Sequence, residues 1–202
     1  MPRKHKIRIT GGSARGRPIP SPKARAVRPT PGIVREALFN ILRDRVEGAT
    51  VLELFAGVGT LGLEALSRDA AFATFVEIHP PAAAAVRATA DSFGWLDRVE
   101  IITLDAYDVL PRLESRSGRY SIVFIDPPYA HARSVLPGSK LHDLIERLGG
   151  SPVLADDALL FLQHPRKAPI SDAFRALELD ETRPYGSTAI TIFRKRPSSA
   201  PD

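Results

Sequence analysis

Val51-Leu52-Glu53-Leu54-Phe55-Ala56-Gly57-Val58-Gly59-Thr60-Leu61-Gly62 is the stretch that decides the fold of this 202-residue chain. An apolar strand near 51–55, broken once by Glu53, runs through glycines spaced G-x-G-x-x-G into a helix expected over 60–68. Glycines at that spacing make a tight turn, let a ligand approach the backbone, and let the helix pack closely on its strand. Working outward, apolar runs near 72–77, 99–104, 120–126 and 157–163 alternate with helical patterns near 81–93, 106–115 and 140–149, before a closing pair near 174–182 and 188–195. Apolar strands alternating with helices are the signature of an α/β protein, a mostly parallel sheet with helices on both faces.

Composition narrows the function. The chain has no cysteine, which excludes disulfides, thiolate metal sites and thiol nucleophiles. His5, His79, His131, His142 and His164 are scattered without ligand spacing, so no metal is expected. No apolar run nears the roughly 18 residues of a membrane span, and the arginine-rich start lacks the apolar core of a secretory signal. A cytoplasmic protein without membrane contact is therefore expected, and it is taken to be a monomer.

The net charge of +5 is unevenly spread: residues 1–35 hold ten Lys or Arg and no acid, leaving eighteen basic and twenty-three acidic residues beyond them. Such an arm is the footprint of a polyanion partner, because neutralising phosphates releases counterions. A merely solvated tail or a targeting peptide is the alternative. The period-two run Lys6 to Thr10, a Gly11-Gly12 turn and Ser13 to Arg17 predict a basic hairpin, with Pro18, Pro20, Pro22 and Pro29 in an extended connector. Thr30 is expected to cap the next helix, with Pro31 at its first position and Val34, Ala37, Leu38, Ile41 and Leu42 as its apolar stripe. The organisation expected is an arm over 1–30, a catalytic domain over 31–196 and a frayed tail over 197–202.

Glu77 follows Gly57 by twenty residues, where an acid accepts the ribose hydroxyls of an adenosine. That holds for NAD and for S-adenosylmethionine alike. Glu53 shifts the balance, because a carboxylate before the loop repels a pyrophosphate and suits a sulfonium ligand with an amino-acid tail, directly or by orienting the loop. Asp105 ends the third strand, either as an acceptor for the adenine amino group or as a helix cap before Ala106.

Asp126-Pro127-Pro128-Tyr129, at the end of the run Tyr120 to Ile125, carries the strongest chemical signal. Ligands of open α/β sheets bind at the carboxyl ends of strands. Proline after Asp126 forces that residue to be extended, and the paired prolines leave carbonyls without competing amides. A base amine is a poor nucleophile until both its hydrogens are held by acceptors. The Asp126 carboxylate and Pro127 carbonyl supply two, and Tyr129 supplies a face for a flipped base.

Taken together, Arg8 to Gly12, Arg15-Gly16-Arg17, Arg28-Pro29-Thr30, Val34 to Asn40 and Leu54 to Arg68, with Asp126 to Tyr129 and the late Tyr185-Gly186, resemble the RsmD family over roughly residues 6–195. Those enzymes methylate guanine N2 in bacterial 16S ribosomal RNA. The resemblance implies a Rossmann-like, seven-stranded S-adenosylmethionine-dependent methyltransferase fold. It implies cofactor contacts from Glu53, Phe55, Ala56, Gly57, Gly59, Thr60, Glu77, Ile78, Asp105 and Ala106, and catalysis at Asp126, Pro127, Pro128 and Tyr129. It also implies an arm in which Arg8, Arg15, Arg17, Arg28 and Arg35 grip 16S rRNA within the small subunit or an assembly intermediate. Gly32-Ile33 and Ser187 depart from the residues common in the family. The alternatives are a DNA adenine-N6 methyltransferase, a protein-glutamine methyltransferase, a non-catalytic RNA-binding assembly factor and a dehydrogenase.

Overall fold

The computed structural model describes residues 7–21, 30–116 and 118–197. Arg28, Lys6, Pro22, Pro29 and the 198–202 part of the expected tail lie outside the described residues. The chain divides into two compact units, one ending at Leu104 and the other starting at Asp105.

The first unit opens with β1 (Ile7–Arg8) paired antiparallel to β2 (Pro18–Ile19). The hairpin is wider than the sequence suggests, because its return strand is Pro18–Ile19 and not Ser13–Arg17. Gly11-Gly12 does not form the hairpin turn but lies against the end of the helix that follows the glycine loop. The first helix, α1 (Gly32–Leu42), starts one residue later than expected, with Pro31 flanking it in place of Thr30 and giving no side-chain cap. Thr30 is buried, and its carbonyl accepts from Arg35 Nη1 at 3.1 Å.

Three parallel strands follow, β3 (Thr50–Leu54), β4 (Phe72–Val76) and β5 (Val99–Ile102), in the order β5-β4-β3. Between them run α2 (Thr60–Ser67), which packs on β3 and β4, and α3 (Pro80–Phe93), which packs on β5. Two prolines at the start of α3 and Gly94, at φ 74°, just past its end bound that helix. Val51, Leu52, Leu54, Ala73, Phe75 and Val76 are fully enclosed, which is why these strands read as near-continuous apolar runs.

The second unit holds α4 (Leu110–Glu114), β6 (Tyr120–Ile125), α5 (Lys140–Gly150), β7 (Leu154–Pro165), β8 (Leu177–Tyr185) and β9 (Thr188–Lys195). Its strand order is β6-β7-β9-β8, with β6 and β7 parallel and the remaining pairings antiparallel. Three expected boundaries move. The helix expected over 106–115 is only Leu110–Glu114, because Asp105 closes a turn with Asp108. Strand β7 begins at Leu154, and its register shift against β6 takes up the polar Ala155-Asp156-Asp157 segment, with Asp157 at φ 61°. Strand β8 is shifted towards Tyr185 because Phe174 packs as a core residue against His142 and Phe193 instead of entering the ladder. Pro184 is tolerated in β8 because this strand pairs only with β9 and lies at the sheet edge. Among the described residues no helix is long and apolar enough to cross a membrane.

Candidate active site

The glycine loop leaves the carboxyl end of β3 and is held by two buried carboxylates. Glu53, only 2% exposed, accepts from Leu61 N at 3.2 Å and Gly62 N at 2.8 Å. These are first-turn amides of α2, which have no partner within the helix, and a carboxylate there also meets the positive end of the helix dipole. Glu53 thus orients the loop. Glu77, at the carboxyl end of β4, accepts from Gly57 N at 2.7 Å and His79 N at 2.8 Å, one amide per oxygen. A carboxylate has about four acceptor sites, so further donors can be taken by the same two oxygens.

Phe55 adopts φ 57°, a left-handed conformation that costs a non-glycine residue energy and clusters at functional sites. Sequence reading offers no signal for this strain. A Cβ on Gly62 would lie 2.5 Å from Phe75 Cε1 and 2.9 Å from Glu53 Oε2, so glycine is required where α2 crosses β4. Gly62→Ala is expected to destabilise the fold by about 1–3 kcal/mol, the usual range for overpacking, read as a lower denaturant midpoint with unchanged slope. Ala56 and Thr60 are buried in the loop and first turn, whereas Ile78 is 50% exposed just beyond Glu77 and presents an apolar face there.

In the second unit, Asp126-Pro127-Pro128-Tyr129 follows the carboxyl end of β6. Asp126 is half-buried, Pro127 is buried, Pro128 is exposed, and Tyr129 is 56% exposed with its ring open to solvent. The Pro128 carbonyl accepts from His131 N at 2.8 Å, closing a turn that fixes the tetrad from its far side. Asp105 Oδ1 accepts from Tyr107 N at 3.1 Å, the turn-capping alternative, and Ala106 is buried beside it. Tyr107 Oη lies 3.0 Å from His131 Nδ1, tying the turn after Asp105 to the segment after the tetrad. Burial, and secondly the Asp105 charge, push the Tyr107 phenol up to about 12, so it stays protonated through neutral pH. This tyrosine–histidine tie has no spacing signature in the sequence.

The expected RNA-contacting arginines fall into different classes. Arg15 is exposed. Arg8 is exposed but its Nη1 donates to Gly16 O at 2.7 Å within the hairpin. Arg17 donates to Ser92 O at 2.6 Å and lies 3.8 Å over the Phe93 ring, which fastens the arm to the end of α3. Arg35 corrects the expectation: it is 4% exposed, and donates to Thr30 O and, at 2.6 Å, to Arg8 O, so it anchors backbone instead of facing a polyanion. Burial lowers its pKa, with Glu64 acting in the opposite sense. No cluster of three or more His, Asp or Glu side chains able to hold a metal exists among the described residues.

The family model described as conserved hypothetical protein 95 matches residues 7–194. Ribosomal RNA small subunit methyltransferase D of Escherichia coli is 30% identical over 97% of this chain and 93% of its own length. The chain belongs to this family. Another relative is the putative rRNA methyltransferase YlbH of Bacillus subtilis, 28% identical over 94% of this chain and 100% of its own. The solved structure of the putative methyltransferase yhhF from Escherichia coli superposes with a TM-score of 0.75 at 28% identity, covering 96% of this chain and 99% of that one. The fold is therefore the Rossmann-like methyltransferase fold, with a mostly parallel seven-stranded sheet.

Proposed function

We propose that the protein is an S-adenosylmethionine-dependent methyltransferase that modifies the exocyclic N2 of a guanine in bacterial 16S rRNA, in the cytoplasm, on the small subunit or an assembly intermediate. The observation that carries this reading is the Asp126-Pro127-Pro128-Tyr129 tetrad at a strand's carboxyl end, in a chain similar throughout to ribosomal RNA small subunit methyltransferase D.

The residues present fit the cofactor. Glu77 retains acceptor capacity for ribose hydroxyls, Ile78 offers an apolar face for an adenine ring, and the loop amides are ordered by Glu53. Phe55, Ala56, Gly57, Gly59 and Thr60 belong to the same loop and the first turn of α2, and the family resemblance adds Asp105 and Ala106 as cofactor contacts. When bound, S-adenosylmethionine supplies an electrophilic methyl group. Asp126 and the Pro127 carbonyl each accept one hydrogen of the base amine, which removes the lone pair from conjugation with the ring and orients it for attack. Tyr129 stacks on the extruded base, and Pro128 keeps the tetrad rigid. The methylated nitrogen is a strong acid while cationic, so its proton leaves to Asp126 or to water without a dedicated strong base.

An adenine amine poses the same lone-pair problem and makes adenine-N6 methylation the second reading. Transfer of tritiated methyl from S-adenosylmethionine to small-subunit particles and to naked 16S rRNA tests both. Incorporation into the particle faster than into naked RNA is expected, because a particle that exposes the base avoids an unstacking cost of a few kcal/mol. Incorporation into neither would overturn the proposal.

Arg15 is the arm cation expected to matter most to RNA. Arg15→Ala should weaken RNA binding and reduce the slope of log affinity against log salt by roughly 0.7–0.9 for one lost phosphate contact, leaving cofactor affinity unchanged. A slope equal to the wild type's in a filter-binding salt series would remove Arg15 from the interface.

A further inference from the structure

Helix α2 is apolar on almost every face and buried along its whole length, yet it carries Glu64, which is 0% exposed. A carboxylate taken so far from water must be fully partnered, since desolvating an unpaired ion costs several kcal/mol. Its partners come chiefly from the arm. Glu64 Oε2 accepts from Thr10 N at 2.8 Å, and Oε1 accepts from Thr10 Oγ1 at 2.7 Å and Gly11 N at 2.8 Å. Arg68 Nε donates to the same Oε1 at 3.0 Å, and Arg35 lies at 4.0 Å.

One turn further on, Ser67 repeats the pattern. Its hydroxyl donates to Gly11 O at 2.6 Å and accepts from Ala14 N at 2.9 Å, and its carbonyl accepts from Ser13 N at 2.7 Å. The arm therefore supplies donors for the otherwise unpaired C-terminal end of α2. Gly11-Gly12, which reads as a hairpin turn, makes this approach possible: a Cβ on Gly12 would lie 1.7 Å from Ser67 O, and Gly12 holds φ 74°. Ile9, Ala14 and Ile19 are buried beneath the same segment.

We infer that Glu64 is a positioning residue for the nucleic-acid substrate: with Ser67 it docks the basic arm on α2 before RNA arrives, so that the arm's cations meet RNA already ordered. This rests on the RNA-methyltransferase reading above. Preorganisation raises affinity by removing an ordering cost at the moment of binding, without adding a phosphate contact. Docking and charge contact therefore have different signatures in salt. Loss of docking raises Kd at every ionic strength with the same salt slope, whereas loss of a phosphate contact flattens the slope.

The test compares wild type, Glu64→Gln, Gly12→Ala and Arg15→Ala, each full length, by RNA binding across a salt series, S-adenosylmethionine calorimetry and amide hydrogen exchange without RNA. Glu64→Gln and Gly12→Ala should each raise the RNA Kd at least tenfold with the wild-type slope. Both should keep cofactor affinity within about twofold and speed exchange at Thr10, Gly11 and Ser13. Gly12→Ala acts within the arm, so it decides the matter if Glu64→Gln fails to fold. Wild-type RNA affinity in Gly12→Ala, or slow exchange of those amides in it, would overturn the inference. If the wild type itself bound no RNA, the functional reading would fail instead.

Discussion

Asp126→Ala is expected to lower turnover by about 10²- to 10⁴-fold, the range for removing a positioned proton acceptor, with the fold and cofactor affinity retained. The tetrad lies beyond the end of β6 and Asp126 is only half-buried, so truncation there removes no core packing. Asp126→Asn separates two roles for the carboxylate. It keeps an acceptor oxygen for the amine hydrogen but loses the charge, so it should retain a larger share of turnover than Asp126→Ala if holding the amine is what matters. Steady-state rates with saturating cofactor read both. Near-normal turnover in Asp126→Ala would dispose of the clamp.

Glu77→Ala is expected to have the second largest effect. The carboxylate holds Gly57 N and His79 N, and it is the proposed acceptor for the ribose hydroxyls. Losing about two hydrogen bonds to a charged acceptor, at ~1.5–3 kcal/mol each, corresponds to at least ~10²-fold weaker cofactor binding. Because the loop loses its tie at Gly57 as well, the drop should exceed that of Glu77→Gln, which keeps one acceptor oxygen. Calorimetric titration with S-adenosylmethionine measures the difference. Unchanged affinity in Glu77→Ala would exclude the residue from the cofactor site.

How far the sequence carries the reader differs from element to element. Strands β3, β4 and β6 and helices α2, α3 and α5 are legible within a residue or two, because buried parallel strands are apolar throughout and their helices have clear ends at Gly94 and Ser139. The polar β8 and the start of β7 are not, since their ladders depend on β9 and on a register shift that no local pattern announces. Gly11-Gly12 has the composition of a turn, but its glycines serve a close approach to α2, a tertiary demand invisible to local rules. Arg35 looks like one more arm cation in sequence, yet burial makes it an anchor for the Thr30 and Arg8 carbonyls. Glu64 does leave a trace: a single acid in the otherwise apolar Leu61-Gly62-Leu63-Glu64-Ala65-Leu66 must find partners. Only coordinates reveal that those partners are Thr10 and Gly11.

Glu53 illustrates the same point within the active-site loop. Its position before the glycines signals a ligand that tolerates negative charge, with two roles open. Both of its oxygens are engaged by the first turn of α2, which is the orienting role.

The most direct measurement is nucleoside analysis, by mass spectrometry, of 16S rRNA methylated by the purified protein with S-adenosylmethionine. The expected result is a single new N2-methylguanosine per RNA, absent with Asp126→Ala. Label on adenine N6, or on protein and not on RNA, would contradict it.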